Sequence, residues 1–393
     1  MRVIVLDAYN RMGLASINAL APKNEVIGGA VGEPFGPPWL ERQLRSRKFK
    51  AFFRYPSPVL DWDGYAEAIV DACKRFQVDA VFPASTQSAF ALSRLREKLG
   101  ATPAVFVIED AAKIERYADK WRLFELCREL DLPFPKTVLP TGDGLAELDE
   151  LTFPVVAKPR AGEASRGLKV IASRPELDAF LADLPRVGNL ESDEYPYLVQ
   201  EIIQGKEIHD VKGVAEKGRL VAILTAQRVL MRSEFGGAGI VHMTTHAPDL
   251  VEIGEKVVGS LDWSGPFDLE CIRTRDGTYV PLDGNPRVWG STHLSVALGQ
   301  NIPQLAVDVF TKGDVPAIGA NYPAGVLLRW KTVGSVAMCF RPPRSPGAVA
   351  RRLNLLLMPR RQVVSDVTPA NYRHLIGMTL DTKASQKRRG KSE

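Results

Sequence analysis

Short apolar runs separated by stretches of helical periodicity constrain the N-terminal third more than any other feature of this chain. Val3-Ile4-Val5-Leu6 reads as a buried strand, Glu25 to Gly28 as a second, Ala80-Val81-Phe82 as a third and Val105-Phe106-Val107 as a fourth. Between them fall an apolar helix near Gly13 to Leu20 and a helix near Ser88 to Leu99. Another, running through Phe76, can be capped by Asp61 and repeats Tyr65, Ile69 and Ala72 at three- and four-residue spacing. Strands that return only after a helix pair in parallel and need cover on both faces. Pro34, Pro37 and Pro38 make Gly32 to Trp39 a loop. The first turn from strand to helix, Asp7 to Gly13, ends in its one glycine, so it lacks the glycines that let backbone approach a dinucleotide pyrophosphate. The expectation is a Rossmann-like scaffold without that cofactor.

Further along, the helix near Trp121 to Leu130 cannot pass Leu132-Pro133-Phe134-Pro135, because each proline steers the residue before it out of the helical region. From Phe153 the pattern turns to strands and hairpins. Val155 to Ala157 and Leu168 to Ile171 flank a glycine-containing loop, and Ile208 to Ala215 and Arg219 to Thr225 flank the turn Glu216-Lys217-Gly218. Helices return near Leu250 to Leu261 and Gln304 to Phe310. Six arginines and no acid lie between Arg341 and Arg361, and Lys387 to Glu393 reads as a solvated, disordered basic tail.

A length of 393 residues predicts two or three packed units, and 45% hydrophobic with 25% charged residues excludes wholesale disorder. No apolar run approaches the ~20 residues that cross a bilayer, so no membrane partner is expected. The first residues reach Asp7 too soon for a secretory leader, and Cys73, Cys127, Cys271 and Cys339 show no CxxC spacing. A reduced, cytoplasmic setting is expected, without a zinc site or disulfide framework. The net charge of +5 is too small to make nucleic acid the main partner.

Two constellations carry chemistry. Leu269 to Arg273 and Tyr279 to Asp283 are strand-like around Thr274-Arg275-Asp276-Gly277-Thr278. Taking Asp276-Gly277 as the centre of a two-residue turn puts Glu270 directly across from Asp283, on one face of the hairpin. Two carboxylates that close repel unless a cation lies between them or one is protonated. Asn285 follows on the same face and Arg287 after it, so two carboxylates and an amide oxygen make a hard oxygen site suited to Mg²⁺. The competing reading is a solvated hairpin with its charges turned outward. The second constellation is Lys158, which closes the apolar strand Val155 to Lys158 before the small-residue loop Arg160 to Gly167. Such a loop can lie over phosphates with its N–H groups available, whereas a lone strand-end lysine is usually a solvated charge.

Taken in order, Ala118-Asp119-Lys120, Val155 to Pro159, Val199 to Glu207, Phe267 to Glu270 and Asp283 to Ser291 resemble the ATP-grasp superfamily, especially its carboxylate–amine ligases and carbamoyl-phosphate-synthase-like ATP-binding domains. The resemblance covers about residues 1 to 315. It implies an α/β chain of three parts: a Rossmann-like parallel-sheet domain over 1–112, a two-lobed α+β ATP-grasp domain with antiparallel sheets over 113–315, and a C-terminal extension with a basic tail over 316–393. A flexible lid lobe would span about 140–200. Carried over by position, Lys120 and Lys158 would bind ATP phosphates, Glu201 and Ile203 would read adenine, and Glu207 would hold the ribose. Glu270, Asp283 and Asn285 would hold Mg²⁺, with Mn²⁺ able to replace it, and Arg287 would neutralise the transferred phosphoryl group. Arg228 would face a substrate carboxylate. The family usually has glutamate where Asp283 stands; aspartate is shorter but as hard a ligand, so activity is still expected.

The implied reaction activates a small-molecule carboxylate as an acyl phosphate, releasing ADP, and passes the acyl group to an amine with loss of phosphate. Family members are often dimeric, so the resemblance allows a homodimer. One alternative keeps the fold but activates bicarbonate or formate, as a biotin-carboxylase-like or purine-pathway enzyme. Another is a non-catalytic nucleotide-binding or nucleic-acid-associated protein using the arginine-rich region, whose polyanion binding would fall steeply with salt.

Overall fold

A computed structural model describes residues 1–99, 104–141, 144–162, 167–183, 197–233, 236–331, 333–342, 345–357, 363–365 and 371–389. The first unit carries strands β1 (Arg2–Val5), β2 (Glu25–Val31), β3 (Phe49–Tyr55), β4 (Ala80–Phe82) and β5 (Val105–Phe106). They pair in the order β3-β2-β1-β4-β5, every pairing parallel. Successive residues of β1 enter different cores, as the pleat requires. Ile4 and Leu6 pack with Tyr65, Ile69 and Cys73 of the helix Trp62–Phe76. Val3 and Val5 pack with Ile17 and Leu20 of the helix Arg11–Leu20 and with Ala306 and Val307 of the helix Ile302–Thr311. Asp61 caps its helix as expected, accepting from the Gly64 N–H.

Two elements of this unit escape the pattern reading. Pro38 and Trp39 begin the helix Pro38–Leu44 instead of finishing a loop, because proline is tolerated in a first helical turn. β3 is an edge strand, mostly half-buried, and its Lys50 and Arg54 interrupt the apolar run that would mark it.

The rest of the chain builds two sheets. Strands β6 (Thr137–Val138), β7 (Val155–Pro159), β8 (Lys169–Ile171) and β9 (Tyr197–Glu201) form a four-stranded antiparallel sheet in the order β6-β9-β7-β8. Its apolar residues, Val138, Val155, Ala157, Ile171 and Val199 among them, form a cluster of their own with Leu177 of the helix Arg174–Ala182. The large sheet contains β10 (Gly205–Glu216), β11 (Arg219–Ser233), β12 (Gly236–Thr245), β13 (Gly265–Thr274), β14 (Tyr279–Asn285), β15 (Leu327–Arg329) and β16 (Val363–Ser365), in the order β14-β13-β10-β11-β12-β15-β16. It shares its core with the first unit, since Val211 and Leu269 join the cluster of Ile4 while Val214 and Val221 join that of Val3. The β10–β11 turn has Lys217 at φ 49° and Gly218 at φ 74°, the backbone a two-residue hairpin turn needs.

The β13–β14 hairpin departs from expectation in an instructive way. Its turn is not centred on Asp276-Gly277. The Gly277 N–H donates to the Thr274 carbonyl, Gly277 has φ 96°, and Arg273 pairs with Tyr279. That turn alone would leave Glu270 across from Leu282. A bulge between Glu270 and Cys271 restores the pairing Glu270 with Asp283 by placing Leu282 as the extra residue on β14. The pair therefore forms through a longer turn and a compensating bulge, and both Leu282 and Asp283 line the cleft described below.

The C-terminal segment returns to the first unit. The helix Tyr372–Arg389 carries His374, whose ring stacks on Tyr9 at 5.1 Å and accepts from the Ser46 N–H at Nδ1. Nε2 then carries the proton and donates to the Ala8 carbonyl at 2.8 Å. Asp381 pairs with Arg54 at 2.9 Å. The expectation of a disordered tail from Lys387 is corrected in part, since this helix runs through Arg389; residues 390–393 lie outside the described ones. Among the described residues no helix is long and apolar enough to cross a membrane.

Candidate active site

The site is a cleft of about 260 Å³ between the four-stranded sheet and the large sheet, with Arg11 and Met12 of the helix Arg11–Leu20 also in its lining. Asp119 caps the helix Lys120–Glu129 by accepting from the Trp121 and Arg122 N–H groups, and it pairs with Arg160 at 2.9 Å, both side chains buried. The Lys120 N–H donates to the Arg160 carbonyl at 3.0 Å. Cap, ion pair and backbone bond together tie the start of this helix to the end of β7, so Lys120 and Lys158 enter one cleft from separate elements. Lys120 Nζ lies 3.2 Å from Asp283 Oδ1. Lys158 is buried, and burial, with the neighbouring Lys120 charge, lowers its pKa to about 8 despite the opposing pull of Asp283 and Glu270.

The opposite wall comes from the large sheet. Glu270 Oε1 receives Arg228 Nη2 at 2.5 Å. Asn285 Nδ2 faces Glu270 Oε1 at 3.3 Å and Asp268 Oδ2 at 3.4 Å, while its Oδ1 accepts from Arg287 Nη2 at 2.8 Å. Arg287 also donates from Nε to Thr86 Oγ1 at 3.0 Å, reaching the first unit at the start of the helix Thr86–Leu99. Below these residues lies a buried charge network. Asp210 is fully buried, 2.6 Å from Arg228 and 2.9 Å from Lys212. Burial alone would raise the Asp210 pKa, but Arg228 and then Lys212 outweigh it and hold the carboxyl well below the usual range. Lys212 Nζ donates to Ser291 Oγ at 3.3 Å and stands 3.7 Å from Asp268. His242, buried beside them, is driven well below the usual histidine pKa by burial and the Lys212 charge, so it is neutral at pH 7.

A family model described as "ATP-grasp in the biosynthetic pathway with Ter operon" matches residues 193–331. This region is an ATP-grasp domain. It is 23% identical over 178 residues to the carbamoyl phosphate synthase arginine-specific large chain of Eremothecium gossypii, a match over 43% of this chain and 16% of that one. The chain thus spans a small part of that curated relative. Among solved structures it resembles the biotin carboxylase–β-γ-ATP complex from Campylobacter jejuni, with TM-score 0.63, 13% identity, and coverage of 82% of this chain and 73% of the other. It also resembles the L-amino acid ligase from Bacillus licheniformis, with TM-score 0.58, 15% identity, and coverage of 81% and 77%. At these identities the structural likeness concerns the fold.

The ATP-grasp cleft gathers Lys120, Lys158, Arg228, Glu270, Asp283, Asn285 and Arg287 of the residues singled out in the sequence. Glu201, Ile203 and Glu207 stand outside its lining. The Glu201 carboxylate accepts from the Thr152 N–H, the Ile203 carbonyl accepts from the Gly205 N–H, and half-exposed Glu207 lies 3.4 Å from His209. Residues 163–166 of the expected phosphate loop lie outside the described residues. Arg228, expected to face a substrate carboxylate, lines the cleft, and its guanidinium engages Asp210, Glu270 and the Gly237 carbonyl. The Asn285 oxygen, expected to face a cation, is engaged by Arg287. Asp210, Lys212 and Asp268 went unassigned in the sequence. Their signal was there, as Asp210 and Lys212, and again Asp268 and Glu270, stand two apart within apolar strands and so share a face.

The donor set fits a divalent ion and a polyphosphate. Six cationic side chains (Arg11, Lys120, Lys158, Lys212, Arg228, Arg287) face three carboxylates (Asp268, Glu270, Asp283) in the cleft lining, a surplus that suits a polyanion. Glu270 and Asp283 are paired across β13 and β14 and offer hard oxygens. The further acidic group Asp210, Asp268 and Glu270 has ligand atoms within 4.8 Å of one another, but Lys212 and Arg228 already neutralise its centre.

Proposed function

We propose that this chain is an ATP-dependent ligase that activates a carboxylate and joins it to an amine. One observation carries the reading: Lys120 and Lys158, delivered by separate elements, converge with the Glu270–Asp283 pair and Arg287 in a single cleft. Lys120 and Lys158 hold nucleotide phosphates. Glu270 and Asp283 hold Mg²⁺, and Asn285 joins them by exchanging its bond to Arg287. The ion supplies charge neutralisation for phosphoryl transfer when bound. Arg287, anchored on Thr86 and Val288, is preorganised beside the reacting groups to balance the charge that develops there. Ile203 and Glu201 serve adenine through the hinge at the end of β9, with Glu207 near the ribose. We further propose residues 1–112, 113–315 and 316–393 as the functional divisions. The four-stranded sheet, with its separate core, acts as the lid over the nucleotide.

The test is ADP release by the purified chain with Mg²⁺ and ATP over a panel of carboxylic acids, with hydroxylamine present to capture an activated acyl group as a hydroxamate. Acid-dependent hydroxamate together with ADP supports the ligase. ADP release that needs only bicarbonate and yields no hydroxamate from any acid refutes it.

A further inference from the structure

In the lining of the cleft two buried polar groups lack what they need. Asp268 lines the cleft at 3% exposure, and its oxygens receive little. Oδ1 has no hydrogen bond, Oδ2 accepts one long bond of 3.4 Å from Asn285, and the Lys212 ammonium stays 3.7 Å away because Asp210 and Ser291 hold it. Trp289 also lines the cleft at 2% exposure, and its indole N–H has no acceptor. A buried carboxylate and a buried donor left unsatisfied are costly, and a ligand that supplies both partners removes that cost.

The ligand's chemistry follows from what stands between and beside them. Asn285 links the two ends, because its amide N–H₂ faces Asp268 while its oxygen accepts from Arg287. A guanidinium and an underbonded carboxylate thus lie at opposite ends of one primary amide. We propose, building on the ligase reading above, that the acid accepted here is an amino acid. Its ammonium group is held by Asp268, and its carboxylate by Arg287 and the Trp289 N–H. An ammonium group brings its own N–H donors to the unsatisfied oxygens and leaves Lys212 and Arg228 on Asp210 and Glu270. Asp268 is then a specificity-determining residue. In the activation step the amino-acid carboxylate oxygen bonds to the γ-phosphorus as the bond to the bridging oxygen breaks, and ADP leaves with that electron pair.

The experiment gives the intact chain ATP, Mg²⁺ and hydroxylamine with a pool of the proteinogenic amino acids, and separately with a pool of their 2-hydroxy counterparts, which replace the ammonium by a neutral hydroxyl. Expected is hydroxamate from the amino-acid pool with a preference of about 100-fold or more over the hydroxy acids. Asp268→Asn should raise the KM for the amino acid about tenfold or more while the KM for ATP and the Mg²⁺ dependence stay unchanged. Trp289→Phe, which keeps the ring and removes the N–H, should raise the same KM, and serves if Asp268→Asn fails to fold. Thermal shifts by single amino acids in the presence of ADP and Mg²⁺ give a readout independent of turnover. Equal use of the two pools, or an Asp268→Asn effect confined to Mg²⁺ dependence, overturns the amino-acid assignment and leaves the ligase standing. Absence of hydroxamate from every acid, while ATP still stabilises the protein, overturns both.

Discussion

Replacing Asp210 by asparagine tests whether the floor of the cleft is held by charge. Asp210 is fully buried, and its two oxygens serve Arg228 at 2.6 Å and Lys212 at 2.9 Å; Lys212 itself is 1% exposed. Asparagine keeps the shape and removes the charge, leaving two buried cations with Asp268 and Glu270 as their remaining acidic neighbours. Removing one partner of a buried pair typically costs ~3–5 kcal/mol. Against a total stability of ~5–15 kcal/mol this is a large fraction. The comparison is Glu252→Gln, which breaks an exposed pair with Lys256 of similar length, 2.9 Å, where ~0–1 kcal/mol is expected. Urea and thermal midpoints at pH 7 measure both. The pH dependence supplies a second check. The folded Asp210 pKa lies below its unfolded value, so its contribution is complete above the ordinary carboxylate range and is lost as pH falls through the folded value. The gap between the native chain and Asp210→Asn should therefore be widest near neutrality and narrow on acidification. A loss at pH 7 no larger than that of Glu252→Gln would refute the reasoning.

Other outcomes follow from the same geometry. Lys158→Ala or Asp283→Ala should remove ~3–4 kcal/mol of transition-state stabilisation and lower turnover by about 10²–10³-fold, with the thermal midpoint retained; normal ADP release from either would contradict the assignment. Because the buried Lys158 has its pKa lowered to about 8, nucleotide affinity should weaken as pH rises through that value and the ammonium loses its proton. Titrating ADP–Mg²⁺ binding across that range checks this, and a flat profile argues against it. His374, lowered by burial to about 4, stays neutral in the fold, whereas the unfolded chain takes up a proton near 6.5. Stability should therefore fall between those values on acidification, by about 3 kcal/mol at most, and His374→Gln should flatten that part of the profile.

How much was legible before the tertiary structure depended on the range of the interaction. The βα alternation, the Asp61 cap and the Lys217-Gly218 turn follow from residues a few positions apart, whose backbone preferences and periodicity act locally. The Glu270–Asp283 pairing was legible as well, although by a route the structure revises: the real turn is one residue longer, and the bulge at Leu282 gives that residue back. β3 and the C-terminal helix were not, because each is stabilised by what it lands on. β3 is held by β2, and the helix by Tyr9, Ala8 and Arg54.

The amino-acid order alone therefore determined the layered βα start, the hairpins and the list of residues able to serve a phosphate and a divalent ion, since these rest on spacing and donor chemistry. Which charges face one another was decided only in three dimensions. Asp210, Lys212, Arg228, His242 and Asp268 come from four strands and meet on one face of the large sheet. Whether each is solvated, paired or left wanting a partner depends on the burial that this packing creates. That is why Arg228 is engaged by Asp210 and Glu270 and Asp268 is the group with oxygens to spare.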